Sequence, residues 1–276
     1  MTLLLVLGGA GTGVFGALLG LGGGVLIVPL LNLGFGLPFR EAVAISLLAV
    51  ITTSSASAAV YLARGFANLR LGMTLELLTA SGALVGGLLA FALDERWLAA
   101  LFAIMLAYVA ISMARRHDGP PSPIAEQAST GLTAPPSAGY VATLGGPGYV
   151  VRHLPAGLAL SAFAGLQSAL LGVGGGIVKV PAMHLVMGVP LRVATATSNL
   201  TIGVTASASA VLYLLRGTVD PYVAGPVVLG VFVGASVASR VAHRVPIRLL
   251  RWLFVVVLAI VAVQMVLRAV QGPAAG

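Results

Sequence analysis

Charged side chains are scarce in this chain of 276 residues. Asp, Glu, Lys and Arg make up 8% of the residues, against about 25% in ordinary soluble domains. Hydrophobic residues make up 59%, and the mean hydropathy is +1.07. A soluble enzyme of this size would have too few charges to cover its surface, and a disordered chain would be far less apolar. The composition therefore predicts a protein that lies in a lipid bilayer.

Cysteine is absent, which excludes disulfides, thiolate metal sites and Cys nucleophiles. The formal net charge is +8, but the arginines are scattered singly between long apolar runs. That distribution is typical of the flanks of membrane spans and does not indicate nucleic-acid binding. No paired carboxylates, His cluster, Ser-His-Asp set or metal-ligand spacing appears. We therefore predict no enzyme activity and no cofactor, with the bilayer and a small substrate as partners.

The chain contains an internal duplication. A shift of 152 residues aligns positions 16–68 with positions 168–220 without a gap, and 26 of these 53 pairs are identical. The strongest match joins Ala17–Gly24 to Ala169–Gly176. A long ungapped match of this kind predicts two structural repeats.

The repeats set the expected domain boundaries: residues 1–116, a flexible linker at 117–151 rich in Pro, Gly and Ser, and residues 152–276. We predict an all-α polytopic membrane protein in which each repeat has about four helical segments. The segments are 3–37, 41–63, 71–93 and 96–114, then 154–189, 192–215, 221–240 and 248–268.

The first segment of each repeat has an unusual length. Residues 3–37 would form a helix of about 52 Å at 1.5 Å per residue, but the hydrocarbon core is only about 30 Å thick. The glycines of 20–24 weaken a helix, so we predict a break or a re-entrant hairpin at this cluster. Irregular backbone at membrane depth is either buried in protein or lines a cavity.

Arginine positions distinguish hairpins from simple spans. If each first segment leaves by the face that it entered, ten arginines fall on one face and four on the other, whereas simple spans give seven and seven. Lys and Arg accumulate on the cytoplasmic side. The sequence therefore favours hairpins, inverted repeats, and termini that face away from the cytoplasm.

Lysine occurs once, at position 179, three residues after the second glycine cluster ends at Gly176; the matching residue is Ile27. An ammonium at the bilayer centre costs about 2.5–3.5 kcal/mol on insertion scales, so such residues face a cavity or a partner. Free amides at a helix break attract anions, and this role is compatible with glycine-mediated helix packing. We predict substrate contacts from Lys179 and from the glycines Gly22, Gly23, Gly24, Gly174, Gly175 and Gly176.

Hydroxyl side chains recur at helical spacing in the second repeat. Ser198, Thr201, Thr205 and Ser209 share one helix face, and we expect interhelical hydrogen bonds from Thr205 and Ser209. The remaining substrate-binding candidates are Gln167, Ser46, Ser198, Asn199 and Thr201.

Two other polar residues have alternative interpretations. Glu76 is predicted to be a helix-end carboxylate, with a proton carrier as the alternative. His184 is predicted to be packed, with a ligand or a proton relay as alternatives. No deep carboxylate partner is expected for Lys179.

The segments Gly165–Pro181 and Gly188–Asn199 resemble the signature of the TauE/SafE, or sulfite exporter, membrane family, and Leu19–Pro29 is similar. The resemblance covers both repeats but not the linker. It implies a prokaryotic inner-membrane permease with duplicated modules, for sulfite, sulfonates, thiosulfate or related small anions.

These observations predict an exporter of small anions that works by alternating access around an anion site at the bilayer midplane. A potential negative inside favours anion exit by about 2.3 kcal/mol per charge per 100 mV, so uniport is our initial hypothesis. The alternatives are an anion channel and a non-transporting scaffold or assembly factor. The sequence does not decide between a monomer and a homodimer.

Overall fold

The computed structural model describes residues 1–19, 23–63, 67–115, 143–146, 149–241 and 247–271. These residues form ten α-helices and no β-strand. The first repeat contains α1 (Thr2–Leu19), α2 (Gly24–Pro29), α3 (Phe39–Ala63), α4 (Leu69–Ala92) and α5 (Glu95–Arg115). The second contains α6 (Leu154–Leu171), α7 (Gly176–Pro181), α8 (Leu191–Leu215), α9 (Pro221–Val241) and α10 (Ile247–Gln271).

Long apolar helices dominate the bundle. Among the described residues, six helices are long and apolar enough to cross a membrane: α3, α4, α5, α6, α8 and α9. Large apolar side chains on the outside of the bundle are exposed, as Leu77, Leu88 and Leu229 illustrate. In water such a surface would be unfavourable, whereas in lipid it needs no cover. The predicted class, an all-α multi-pass membrane protein, is confirmed.

The two short helices have a common construction. Each ends at a proline, Pro29 or Pro181, and continues as a π-helical turn over Leu30–Gly34 or Ala182–Val186. A proline removes one i→i−4 hydrogen bond and its ring crowds the preceding turn, which favours this local widening.

Both first segments are hairpins with their two arms side by side. In the second repeat the amide of Arg152 donates to the carbonyl of Met187 over 3.0 Å, which ties the start of one arm to the end of the other. In the first repeat Gly8 lies against the side chain of Leu30. The predicted break is therefore present in both repeats, and each hairpin returns to the end of the bundle where it starts.

Helices of one repeat pack mainly against helices of the other. The pairs are α1 with α9, α4 with α6, α3 with α8 and α5 with α10. Glycines allow the closest approaches: Gly13 lies against the backbone of Val231, and Gly165 lies against the backbone of Thr79. These two contacts are equivalent under the 152-residue shift. The inverted orientation of the repeats in a membrane stays a prediction.

The end of the predicted linker is packed against the bundle. Leu144 and Val151 are buried in a cluster with Leu71 and Met183. Asn68 strengthens this attachment, because its amide donates to the Leu144 carbonyl over 2.8 Å while its carbonyl oxygen accepts from the α4 backbone. The rest of the predicted linker, residues 117–142 and 147–148, lies outside the described residues.

Candidate functional site

The tip of the second hairpin lies between α6 and α7. Gly172, Gly174 and Gly175 have φ angles of 70°, 83° and 73°, in the left-handed region that disfavours other residues. The chain therefore reverses within four residues, and α7 begins at Gly176. The amides of Val178 and Lys179 donate to the Gly175 carbonyl, whereas the amides of Gly176 and Ile177 precede these first bonds, so that the start of α7 offers hydrogen-bond donors.

The first hairpin tip has a similar start. Gly23 has a φ of 77°, and α2 begins at the next residue, Gly24. Gly22, one of the predicted substrate contacts, lies outside the described residues.

The two tips meet between α3 and α8. A side chain on Gly24 would collide with the carbonyl of Gly172, so only glycine allows this approach. Ser46 joins the tips: its hydroxyl lies 2.7 Å from the Gly172 carbonyl and 3.2 Å from the Gly24 carbonyl. The donor proton of Ser46 is therefore engaged by the backbone, and this residue, predicted to bind substrate, holds the tips together.

Ser198 occupies the equivalent position in the second repeat but has a different environment. It is fully buried, and its Oγ makes no hydrogen bond within the described part of the chain. It faces the start of α7, since a Cβ on Gly176 would lie 3.6 Å from this Oγ. A buried hydroxyl without a partner is costly unless a ligand or water satisfies it.

Three further buried polar groups without partners in the described residues lie on α6. They are the Oγ of Ser161, the Oε1 of Gln167 and the Oγ of Ser168. Ser168 is close to the tip, because a Cβ on Gly175 would lie 3.5 Å from the Cβ of Ser168. Two buried hydroxyls that the described protein leaves unsatisfied, those of Ser168 and Ser198, therefore lie beside the tip of the second hairpin.

Lys179 lies three residues beyond the tip and is only 1% exposed. Its Nζ lies 2.5 Å from Oε2 of Glu76 and donates to Oγ1 of Thr201 over 2.9 Å. The expectation that Lys179 has no deep carboxylate partner is therefore wrong. Buried charges require such pairing, because an isolated ammonium would be strongly disfavoured in the bundle interior.

Glu76 is not a helix-end carboxylate, contrary to the prediction. α4 begins at Leu69, so Glu76 lies nearly two turns inside the helix, where its side chain faces α7 and α8. Its Oε1 also accepts from Oγ1 of Thr205 over 2.6 Å. Two hydroxyls of α8 thus complete the ion pair, one on each partner.

The hydroxyl face of α8 agrees with the prediction for Thr205 but not for Ser209. Thr205 makes the predicted interhelical bond, whereas Ser209 donates to the backbone of its own helix, to the Thr205 carbonyl over 3.3 Å. Asn199, predicted to bind substrate, contacts α3 through its backbone carbonyl, which accepts a hydrogen bond from the hydroxyl of Ser54 over 2.7 Å. Of the predicted site residues, the structure brings together Lys179, Thr201, Ser198 and the glycines of the second tip.

His184 and Asn32 occupy equivalent places after the two prolines and have equivalent contacts. The Nδ1 of His184 lies 2.9 Å from the Val189 carbonyl, and the amide of Asn32 donates to the Leu37 carbonyl over 2.8 Å. Both side chains therefore close the turn that leads into the next helix, which agrees with the packing role predicted for His184.

Metal ligation has no support in the described residues, where no three His, Asp or Glu side chains converge. The polar groups at the site are instead mostly hydrogen-bond donors: an ammonium paired with Glu76, hydroxyls and helix-terminal amides.

The chain is similar to known membrane transporter proteins over most of its length. The probable membrane transporter protein YunE of Bacillus subtilis (strain 168) is 24% identical over 270 residues, covering 95% of this chain and 96% of its own length. A probable membrane transporter protein of Xylella fastidiosa (strain 9a5c) is 26% identical over 245 residues, covering 88% of this chain and 86% of its own.

A third relative is matched over a shorter region. The probable membrane transporter protein MamO of Paramagnetospirillum magneticum (strain ATCC 700264 / AMB-1) is 30% identical over 124 residues, which is 41% of this chain and 20% of MamO. No solved structure matches the chain significantly. The sequence model described as Sulfite exporter TauE/SafE matches residues 5–265. The chain therefore belongs to the sulfite exporter TauE/SafE family and is a multi-pass membrane transporter.

Proposed function

We propose that the protein is an inner-membrane permease of a prokaryote that exports small anions, namely sulfite, organosulfonates and related sulfur oxyanions. The substrate site lies at the second hairpin tip, between Lys179, Ser198 and the first amides of α7. The two repeats move around this site in alternating access, as in other transporters with broken helices and internal repeats.

The unsatisfied hydroxyl of Ser198 carries this proposal. Its counterpart Ser46 is satisfied by two backbone carbonyls, whereas Ser198 is equally buried and has no partner in the described protein. An oxyanion accepts hydrogen bonds from several directions, so it would satisfy Ser198 and the α7 amides together. Their position one turn from Lys179 adds the positive charge that an anion requires.

Only one of the two tips has this chemistry. Positions 179 and 201 carry Lys and Thr, whereas the equivalent positions of the first repeat carry Ile27 and Ala49, both fully buried. Each transport cycle would therefore use a single, asymmetric anion site, although the scaffold is duplicated.

A flux assay in proteoliposomes tests the proposal. We expect purified protein to move sulfite, isethionate and thiosulfate, and Lys179→Ala to lose this flux while remaining expressed and inserted. His184→Asn is the matched control, because it places in the second repeat the residue found at position 32 of the first. Unchanged flux in Lys179→Ala would remove this residue from the site, and an absence of flux for all three anions would overturn the proposed function.

A further inference from the structure

The Lys179–Glu76 ion pair has no net charge before any substrate binds. The carboxylate lies 2.5 Å from the ammonium and accepts a second bond from Thr205. A bound anion would place a second negative charge beside one ammonium, in a region where the low dielectric makes such an excess costly. Binding of an anion at Lys179 therefore requires that Glu76 lose its charge or leave.

No other charged group in the described residues faces the pair. The neighbouring parts of α6 and α8 present neutral side chains, including Gln167, Ser168 and Thr201. His184 points to the Val189 carbonyl. The remaining charged or titratable residues of this end of the bundle are exposed or lie in the packed linker segment: Arg70, Tyr149, Arg152, His153 and Arg192. The described residues thus place no second cation at Glu76, and a proton is the means of neutralisation that fits a buried site.

The ion pair is not needed to build the hairpin. The 152-residue shift relates Lys179 of the second repeat to Ile27 of the first, and Glu76 of the first repeat to Val228 of the second. Ile27 is fully buried in the main apolar cluster, and Val228 packs against that cluster. Since buried ion pairs are generally no more stable than apolar residues in the same place, stability does not explain why only one of these two equivalent pairs of positions is charged.

We propose that Glu76 is a proton carrier that couples anion transport to proton transport in the same direction. This inference rests on the proposed function and adds its energy coupling. Glu76 takes up one proton when the anion replaces its carboxylate as the partner of Lys179. It releases that proton when the anion leaves and the ion pair forms again.

The charge balance makes the coupling measurable. One monovalent anion and one proton carry no net charge, so the transport of a monovalent sulfonate is electroneutral. A divalent anion with one proton carries one negative charge. The membrane potential therefore does not drive sulfonate exit, in contrast to uniport, and outward transport requires an outward anion gradient larger than the inward proton gradient.

The experiment uses isethionate, a sulfonate that stays ionised near neutral pH, so that any proton movement comes from the protein. Proteoliposomes contain a pH-sensitive dye, and a potassium gradient with valinomycin sets the voltage. We expect one proton to enter with each isethionate, and a flux that follows the pH gradient but not the voltage. Thiosulfate flux, by contrast, should respond to voltage.

Glu76→Gln separates the proton from the anion. Gln keeps the size of Glu76 and can still accept from Thr205, but it takes up no proton. We expect isethionate exchange to persist without proton movement, whereas net flux falls because the empty site would carry an unpaired ammonium. His184→Asn, which removes a titratable group from the same hairpin, should keep one proton per anion.

Binding to the wild-type protein in detergent gives a second measurement that needs no variant. Uptake of one proton predicts that the isethionate dissociation constant rises about tenfold per pH unit over the range in which Glu76 is ionised. In Glu76→Gln this slope should vanish.

The outcomes separate the two proposals. Isethionate flux that carries current and moves no protons would overturn the coupling and leave the permease in place. Proton movement that survives in Glu76→Gln would exclude Glu76 as the carrier. Absence of flux for isethionate, sulfite and thiosulfate would overturn the permease, and the coupling with it.

Discussion

The hydroxyl of Ser46 in α3 lies 2.7 Å from the carbonyl of Gly172 at the second hairpin tip, and this contact joins the two repeats at the centre of the bundle. The equivalent serine, Ser198, is just as buried but has no such acceptor among the described residues. Two residues of the same type, in matching positions of a duplication, thus have different environments. This difference is the basis of the proposal that Ser198, and not Ser46, binds the substrate.

Alanine should lower the stability of the protein at position 46 and the affinity for substrate at position 198. Ser46→Ala leaves buried carbonyls without a donor and should destabilise the protein by about 1–3 kcal/mol. Ser198→Ala removes a hydroxyl that has no partner, so stability should not fall, but isethionate affinity should drop about tenfold through loss of a hydrogen bond to a charged ligand. Thermal unfolding in detergent and isethionate titration measure the two effects. Equal loss of stability in both variants would contradict this assignment.

The duplication made much of the fold predictable. The glycine clusters and the excess length of 3–37 and 154–189 indicated two broken segments, and the structure places the breaks at these glycines. The helices differ from the predicted segments by a few residues, because caps such as Asn68 set their ends. Packing of residues 143–146 and 149–151 was not predictable, since the Gly-rich composition of this stretch resembles a linker while Leu144 and Val151 are buried.

The site was predictable only in part, and for a physical reason. Lys179 stands out as one charge in an apolar segment, and the hydroxyls of α8 share a helical face. Glu76 was misassigned because it lies 103 positions from Lys179 and in the other repeat. Its equivalent, Val228, gives no indication of a partner. One signal was available: a carboxylate nearly two turns inside an apolar helix requires a counter-ion as much as a lysine does.

The ion pair gives a second prediction, on stability. Lys179→Ile and Glu76→Val, each made alone, leave one buried charge without its partner and should destabilise by about 3–5 kcal/mol. The double variant has the residues found at the two equivalent positions, Ile27 and Val228, so its stability should equal or exceed that of the wild type. Transport should be lost in all three. A double-mutant cycle from thermal unfolding measures the interaction, and additive destabilisation would contradict the prediction.

Glycine contacts between the repeats give a third prediction. Gly165→Ala and Gly13→Ala should lower the melting temperature, because the added methyl groups would collide with the backbones of Thr79 and Val231, which cannot move away as a flexible side chain can. Gly11→Ala is the matched control: it lies in the same helix as Gly13 with open space around it. Its stability should stay constant or rise by up to about 1 kcal/mol from helix propensity. Equal melting temperatures for Gly11→Ala and Gly13→Ala would contradict close packing of α1 on α9.

The orientation of the bundle gives the last prediction. Because the arms of each hairpin start and end together, as the Arg152–Met187 bond indicates for the second repeat, the ten-to-four partition of arginines applies. The arginine-rich face should be cytoplasmic. Fusions after Gly276 should then give active alkaline phosphatase and no green fluorescence, whereas a fluorescent protein inserted near residue 130 should fluoresce. Fluorescence from the C-terminal fusion would contradict this orientation, because the four-arginine face would then be the cytoplasmic one.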